Sequence, residues 1–215
     1  MLDLGMNAVR VAEIWPGWSV IEHAPGKYDY ELLDDYVEKA VKNGLKVCMG
    51  VGINDTPFWL YSKYNDLRCL SWDSKKAVRR VQSACIDHNE YREHMGAFIE
   101  DITKHYSGVE GIFSWQLGNE IRYGVDICDC SSTRARFREW LRVKYKSDLK
   151  MLNNEWGVYY HDWNEIYPYK SFDGPPTEGI PTHYLNTLEF KNWSLEELLN
   201  WGTGIMKQHT ALPIF

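Results

Sequence analysis

Trp115-Gln116-Leu117-Gly118-Asn119-Glu120 closes an apolar run that begins at Gly111 and stops abruptly at an Asn-Glu pair. A short apolar run bounded by breakers reads as a buried strand, and the pair then marks its exit into a loop. In a (β/α)8 barrel the active site lies at the carboxyl ends of the strands, so a carboxylate placed there faces the cleft and not the core. Glu120 is the first catalytic candidate. The competing reading is a strand-end carboxylate that only caps the following segment.

Upstream, Asn7 to Ala12 reads as a buried strand, with Glu13 and Trp15 on its exit loop and a turn-rich Ala24-Pro25-Gly26-Lys27 soon after. Leu32, Leu33, Tyr36, Val37, Ala40 and Val41 recur at helical spacing between Tyr30 and Asn43. Asp29 stands where a cap would start that helix and Gly44 where one would end it. Leu45 to Val51 is a second apolar strand, and its breaker-rich exit, Gly52 to Pro57, belongs at the same barrel end as Glu13. Tyr91, Met95, Phe98, Ile99, Ile102 and Tyr106 mark the next helix, which leads into the strand that delivers Glu120. Alternating strands and helices call for parallel strands with crossover helices.

Beyond a cysteine-bearing loop, helices are expected around Phe137 to Tyr145, Leu149 to Trp156 and about Leu188 to His209. Gly157 to Thr182 is too long for a simple connection and is a candidate cleft-lining insertion. Leu212-Pro213-Ile214-Phe215 looks like the start of a further strand. Three strands and a fourth beginning are fewer than the eight of a closed barrel. The expected fold is α/β, a partial (β/α)8 TIM barrel, with residues 1–215 forming one incomplete catalytic portion.

The chain has 215 residues, 44% of them hydrophobic and 25% charged, which suits a soluble globular domain. A formal charge of −6 argues against a nucleic-acid partner, because phosphate binding needs clustered Lys and Arg, and Arg79-Arg80 alone is no basic patch. A membrane partner is not expected either. Ten Trp and fourteen Tyr exceed ordinary use, and such rings make platforms for the apolar faces of sugars. Trp15, Trp18 and Trp59 are the platform candidates, with packing as the alternative for each. Met1 to Gly5 reads as a helix end running into a strand and not as a leader, and the five cysteines are odd in number. A reducing, cytoplasmic setting is the expectation.

The ordered series Val9-Arg10-Val11-Ala12-Glu13, Pro25-Gly26-Lys27-Tyr28-Asp29, Trp115 to Glu120, Phe137-Arg138-Glu139-Trp140-Leu141, Leu152-Asn153-Asn154-Glu155-Trp156-Gly157 and Trp163-Asn164-Glu165-Ile166 resembles glycoside hydrolase family 42. These are the β-galactosidases of a large clan of retaining barrel glycosidases. The resemblance implies that the chain covers about strands two to five. It also implies two carboxylates about 5–5.5 Å apart, one acting as acid then base and the other as nucleophile. Glu120 matches the acid/base, Asn119 the residue that binds the sugar near its 2-hydroxyl, and Arg10 an arginine beside the nucleophile, with a buried structural ion pair as its alternative; Glu13 and Trp15 join them as candidate substrate contacts, Glu13 alternatively bracing the strand end by pairing with a neighbouring base. The nucleophile is expected at the end of a seventh strand. Glu139, Glu155, Glu165, Glu178, Glu189, Glu196 and Glu197 fall on helices or in the insertion, so none is expected in this chain.

Other clan activities, such as β-arabinosidase, β-glucosidase, mannanase or cellulase, would share Asn119 and Glu120, and a non-catalytic sugar-binding fragment is a further alternative. A β-galactoside or related oligosaccharide is the implied partner, and family members commonly form homotrimers. No cofactor is needed for the chemistry. Some members carry a structural zinc on four thiolates, and Cys85, Cys128 and Cys130 match three of them. Thr133 stands at the fourth position, where a neutral hydroxyl is a poor zinc ligand. Three reduced thiols are therefore the leading reading and zinc the alternative, with water, His88 or Asp129 as possible completions. Cys48 and Cys69 look like packing residues. Relatives often carry an arginine just before the first of these cysteines, whereas here Val81-Gln82-Ser83-Ala84 separates it from Arg79-Arg80. Ile121-Arg122-Tyr123-Gly124, directly after the acid, is also placed to shape the pocket.

Overall fold

The computed structural model describes residues 4–13, 15–70, 84–122, 127–169 and 181–215; Arg79, Arg80, Tyr123, Gly124 and Glu178 lie outside them. The chain divides into two compact units. The first comprises Met1–Asn65, Glu90–Ile121 and Leu198–Phe215, and the second Asp66–Asn89 and Arg122–Glu197.

In the first unit, β1 (Ala8–Val11), β4 (Lys46–Gly50) and β5 (Ile112–Gln116) form a parallel sheet in the order β1-β4-β5. A fourth strand begins where the apolar tail predicts one. Ile214 bridges Trp115 in parallel, with the Trp115 N–H donating to the Pro213 carbonyl at 2.8 Å and the Phe215 N–H to the Trp115 carbonyl at 3.0 Å. Strands thus join the sheet in chain order, separated by helices, which is how a barrel winds.

β4 is the buried centre, with Val47, Cys48, Met49 and Gly50 all enclosed. The reading of β1 as a buried strand is corrected: its four residues alternate between exposed and half-buried. It pairs with β4 alone among the described residues, so one of its edges and part of its faces remain open.

Two helices cover the sheet. α2 (Glu31–Lys42) buries Leu33, Val37 and Ala40, whereas Leu32 and Tyr36 point outward and are each 38% exposed. Seven residues of spread between Leu33 and Ala40 make one face of two helical turns. Tyr30 occupies the cap position, yet Asp29 still accepts from the Glu31 N–H at 3.0 Å, and Gly44 ends the helix with φ +77°. α4 (Asn89–His105) buries Tyr91, Met95, Phe98, Ile99 and Ile102 at the expected spacing.

Short elements not legible in the sequence complete the unit: α1 (Trp18–Ile21), α3 (Phe58–Lys63) and a hairpin of β2 (Glu22–Ala24) and β3 (Lys27–Tyr28) around the Pro25-Gly26 turn. The buried Glu22 carboxylate anchors that hairpin by accepting from Trp18 Nε1 at 2.6 Å and from the Gly26 N–H at 2.8 Å.

The second unit is mostly helical, built from α5 (Ser131–Lys144), α6 (Leu149–Trp156), a 3-10 turn (Trp163–Glu165) and the first part of α7 (Pro181–Met206). Phe137, Leu141, Tyr145, Leu152, Trp156, Ile166 and Phe190 form its core. Asp148 caps α6 by accepting from the N–H groups of Lys150 and Met151, and Gly157 ends it at φ +68°.

α7 starts at Pro181, seven residues before the expected Leu188. The described part of the proposed insertion is pinned to helices: Asn153 bonds both the N–H and the carbonyl of Tyr160, and Arg138 donates to the carbonyls of Asn164 and Ile166. Residues 170–180 of that insertion lie outside the described residues.

His183 stacks on Trp156 at 4.3 Å and bonds the Tyr167 carbonyl at 2.6 Å. Burial lowers its pKa from 6.5 to about 4, with the Tyr167 carbonyl opposing. The folded state thus disfavours the imidazolium, so stability is full above the unfolded value of about 6.5 and drains away as pH falls toward 4. Equilibrium unfolding followed by tryptophan fluorescence is expected to lose about 3 kcal/mol over that window. In His183→Gln that component of the pH dependence is expected to vanish.

Candidate active site

The carboxyl ends of β1, β4 and β5 meet because two glycines let backbone lie on backbone. A Cβ on Gly50 would stand 2.7 Å from the Glu13 nitrogen, and one on Gly52 would stand 2.6 Å from the Ala12 carbonyl oxygen. Gly52 also has φ +69°, a conformation that side chains other than glycine adopt only with strain. The β1 exit therefore settles onto the end of β4, as expected for Glu13 and the Gly52–Pro57 loop.

Arg10, at the edge of this assembly, forms an ion pair with Glu13 and donates from Nη1 to Gln116 Oε1 at 3.0 Å. The Glu13 side chain is 11% exposed and that of Arg10 47%. Gln116 is the polar residue inside the apolar run of β5. Its contact with Arg10 explains why a buried position there is not apolar, and the sequence reading passed over it.

Asn54 was missed as well. Its side-chain amide donates to the Asn119 carbonyl, fixing the backbone one residue before the candidate acid. A Cβ on Gly118 would stand 3.0 Å from Asn54 Oδ1, so glycine there is what lets the Asn54 loop come so close. Glu120 has φ +46°, in the left-handed region, and its side chain is exposed. Left-handed backbone at a non-glycine residue costs on the order of 1 kcal/mol or more and persists only where the surroundings hold it.

Asp55, next to Asn54, accepts from Ser19 Oγ at 2.6 Å, and its pKa is raised by burial against the lowering effect of the Ser19 bonds. Arg10, Glu13, Asn119 and Glu120 are therefore gathered at one end of the sheet. The arrangement offers an exposed carboxyl group over a polar floor, as proton transfer at a bound substrate requires.

The three tryptophan candidates separate by burial. Trp15 is 63% exposed and free to serve as a platform. Trp18 is fully buried, stacked on Phe98 at 5.3 Å and on Tyr91 at 5.7 Å, so no ligand reaches its face and that expectation is corrected. Trp59 is half-buried, donates to the Glu22 carbonyl at 3.0 Å and packs edge-on against His94. Among the described residues, Glu139, Glu155, Glu165, Glu189, Glu196 and Glu197 all lie in helical segments, and none of them follows a strand in the chain.

In the second unit the sulfurs of Cys69, Cys85 and Cys128 lie within 4.8 Å of one another, and Cys130 Sγ is 3.4 Å from Cys85 Sγ. Cys69 is thus part of the cluster, correcting its reading as an incidental packing residue; a strand-like pairing of Arg68 with Ala84 carries it there. Hydrogen bonds from Cys130, Cys69 and Cys85 pull the Cys128 thiol's pKa down. Hydrogen bonding to Cys128 pushes those of Cys85 and Cys130 up, because a thiol that donates to a neighbouring sulfur holds its proton more tightly. His88 pairs with Asp66 and Asp129 with Arg134, and the mutually close ligand atoms are those of Cys69, Cys85 and Cys128. Cys69, Cys85 and Cys128, with Cys130 Sγ beside Cys85, suit a thiophilic, tetrahedral divalent cation.

The Beta-galactosidase family model of glycoside hydrolase family 42 matches residues 1–215. The chain belongs to that family. Beta-galactosidase BgaA of Clostridium cellulovorans is 26% identical over 215 residues, covering 97% of this chain and 31% of its own length. Beta-galactosidase Bga of Halorubrum lacusprofundi is 30% identical over 207 residues, covering 92% and 28%. The beta-galactosidase of Bacillus circulans sp. alkalophilus superposes with a TM-score of 0.87 over 98% of this chain and 32% of that one; at 23% identity this speaks for the fold. This family 42 chain therefore has a partial (β/α)8 barrel fold and spans roughly a third of the length of the relatives it matches.

Within it, Arg10→Met would leave the enclosed Glu13 carboxylate without its cation and Gln116 without its donor. We expect a loss of about 1 kcal/mol, moderated by the exposure of Arg10, in urea unfolding. Lys39→Met, which removes the exposed partner of Asp35, should leave the midpoint unchanged.

Proposed function

We propose that this chain is the front portion of the catalytic barrel of a retaining β-galactosidase, with Glu120 as its acid/base. The observation that carries the proposal is the placement of Glu120 in a family 42 chain. It lies on the loop that leaves β5 after Gln116, at the carboxyl end of the sheet, beside an Asn119 whose backbone Asn54 holds.

In the first step the Glu120 carboxyl group donates its proton to the departing glycosidic oxygen while a second carboxylate attacks the anomeric carbon. In the second step Glu120 removes a proton from water, which displaces the enzyme from the sugar. Asn119 bonds the sugar near its 2-hydroxyl, and Trp15 offers an exposed ring to an apolar sugar face. Arg10 and Glu13 form the charged floor beside the reacting centre. The nucleophile belongs to residues beyond Phe215, so the 215 residues alone are expected to be inactive.

Cys85, Cys128 and Cys130 belong, in the same proposal, to a structural zinc site. Bound zinc would cross-link the segments that carry these thiols and would take no part in hydrolysis.

Glu120→Gln, made in the protein at the length of its relatives, tests the central assignment. Turnover of natural β-galactosides is expected to fall by about 10²–10⁴-fold, the usual contribution of a positioned acid or base. Azide with an activated aryl galactoside should restore part of the rate, because a good leaving group needs no proton. Unchanged turnover of the natural substrate would refute the assignment.

A further inference from the structure

The Thr133 hydroxyl is engaged with a carboxylate. Its hydroxyl donates to Asp87 Oδ2 at 2.7 Å, and the buried Asp87 carboxylate also accepts from Ser194 Oγ at 2.8 Å and pairs with Arg136 at 3.0 Å. The hydroxyl is thereby tied into a charged network, 3.2 Å from Cys85 Sγ and 3.5 Å from Cys130 Sγ. It is neutral, its proton is committed, and an alcohol is a weak ligand for a thiophilic cation beside thiolates.

Cys69 offers a sulfur donor instead, its thiol directed at the Ala84 carbonyl at 3.6 Å with a proton that zinc binding would displace. It is fully buried, and its sulfur lies within 4.8 Å of both Cys85 Sγ and Cys128 Sγ. Tetrahedral zinc with bonds of about 2.3 Å places its sulfurs ~3.8 Å apart, a spacing that the Cys69, Cys85 and Cys128 sulfurs and the 3.4 Å Cys85–Cys130 contact approach.

The backbone around Cys69 is anchored on both sides. The Cys85 N–H donates to the Leu67 carbonyl at 2.8 Å, and the Asp129 N–H donates to the Leu70 carbonyl at 3.0 Å. Further amides point at sulfur: Leu70 N–H at Cys128 Sγ (3.2 Å), Cys130 N–H at Cys128 Sγ (3.4 Å) and Thr133 N–H at Cys130 Sγ (3.4 Å). Such donors orient ligand sulfurs and support their charge. Three short segments, 67–70, 84–85 and 128–130, thus form a backbone-bonded knuckle with four inward thiols.

We propose that Cys69 is the fourth ligand of this site, which with Cys85, Cys128 and Cys130 binds one zinc ion through four thiolates, Thr133 remaining outside the shell. The proposal rests on the zinc reading above and goes beyond it by moving the fourth corner to a different segment of the chain. Binding releases the remaining thiol protons to solvent and involves no change of oxidation state.

X-ray absorption at the zinc edge of the reduced, zinc-loaded chain tests it without any substitution. Four sulfur scatterers at about 2.3 Å are expected. Three sulfurs and one lighter atom would overturn the role of Cys69 while leaving the zinc site intact, and failure to retain zinc at all would overturn both.

Cobalt substitution supplies the second readout. Cys69→Ser is expected to lose one quarter of the thiolate-to-cobalt charge-transfer intensity and to bind zinc more than ~100-fold less tightly, beyond the ~10–100-fold that loss of an outer partner costs. Thr133→Val should keep the full four-thiolate intensity. Unchanged intensity in Cys69→Ser, or a loss in Thr133→Val, would overturn the assignment.

Discussion

The close approach of the β1 exit to the end of β4 is the constraint on which the candidate active site depends. With a side chain at Gly50, backbone atoms of Ala12 and Glu13 would lie under 3.0 Å from the new Cβ, and at Gly52 the Ala12 carbonyl oxygen would. Because those positions are glycine, Glu13 sits where Arg10 reaches it, and Arg10 in turn reaches Gln116 on β5. A second close approach, at Gly118, admits the Asn54 loop that holds Asn119. The polar end of the sheet is a consequence of missing Cβ atoms as much as of the charged residues that populate it.

The two units use polar chemistry differently. At the sheet end, the charged groups are partly open to solvent, and the candidate acid is held in left-handed backbone with its carboxyl group exposed. Strain of that kind is tolerated where surrounding bonds over-determine the conformation, and it accompanies sites that must present a group to a ligand. In the second unit the polar groups are enclosed. Asp87 is buried among Thr133, Ser194 and Arg136, and four thiols are buried beside it. An enclosed charge costs several kcal/mol unless its partners are complete, so this network tolerates little substitution.

Membership in glycoside hydrolase family 42 gives these local arrangements their functional frame. The helical positions of the downstream glutamates among the described residues agree with the proposal that the second carboxylate lies elsewhere, since a barrel's reacting groups come from strand ends. Among the described residues no helix is long and apolar enough to cross a membrane.

Much of the architecture was legible in the sequence, because period and punctuation are local signals. The apolar runs of β4 and β5, the helical spacing of α4, the breaker at Gly44 and the strand-like tail at Ile214 all appear in the expected places. Asn119 and Glu120 could be marked as strand-end residues for the same reason. Tertiary structure decided what depends on partners distant in the chain. Neighbour count left β1 exposed, and aromatic stacking enclosed Trp18 while Trp15 stayed open. Asn54 gained its role from a residue 65 positions away. Cys69 joined the thiol cluster through contacts with residues around 84 and 128, a proximity that spacing along one segment does not encode.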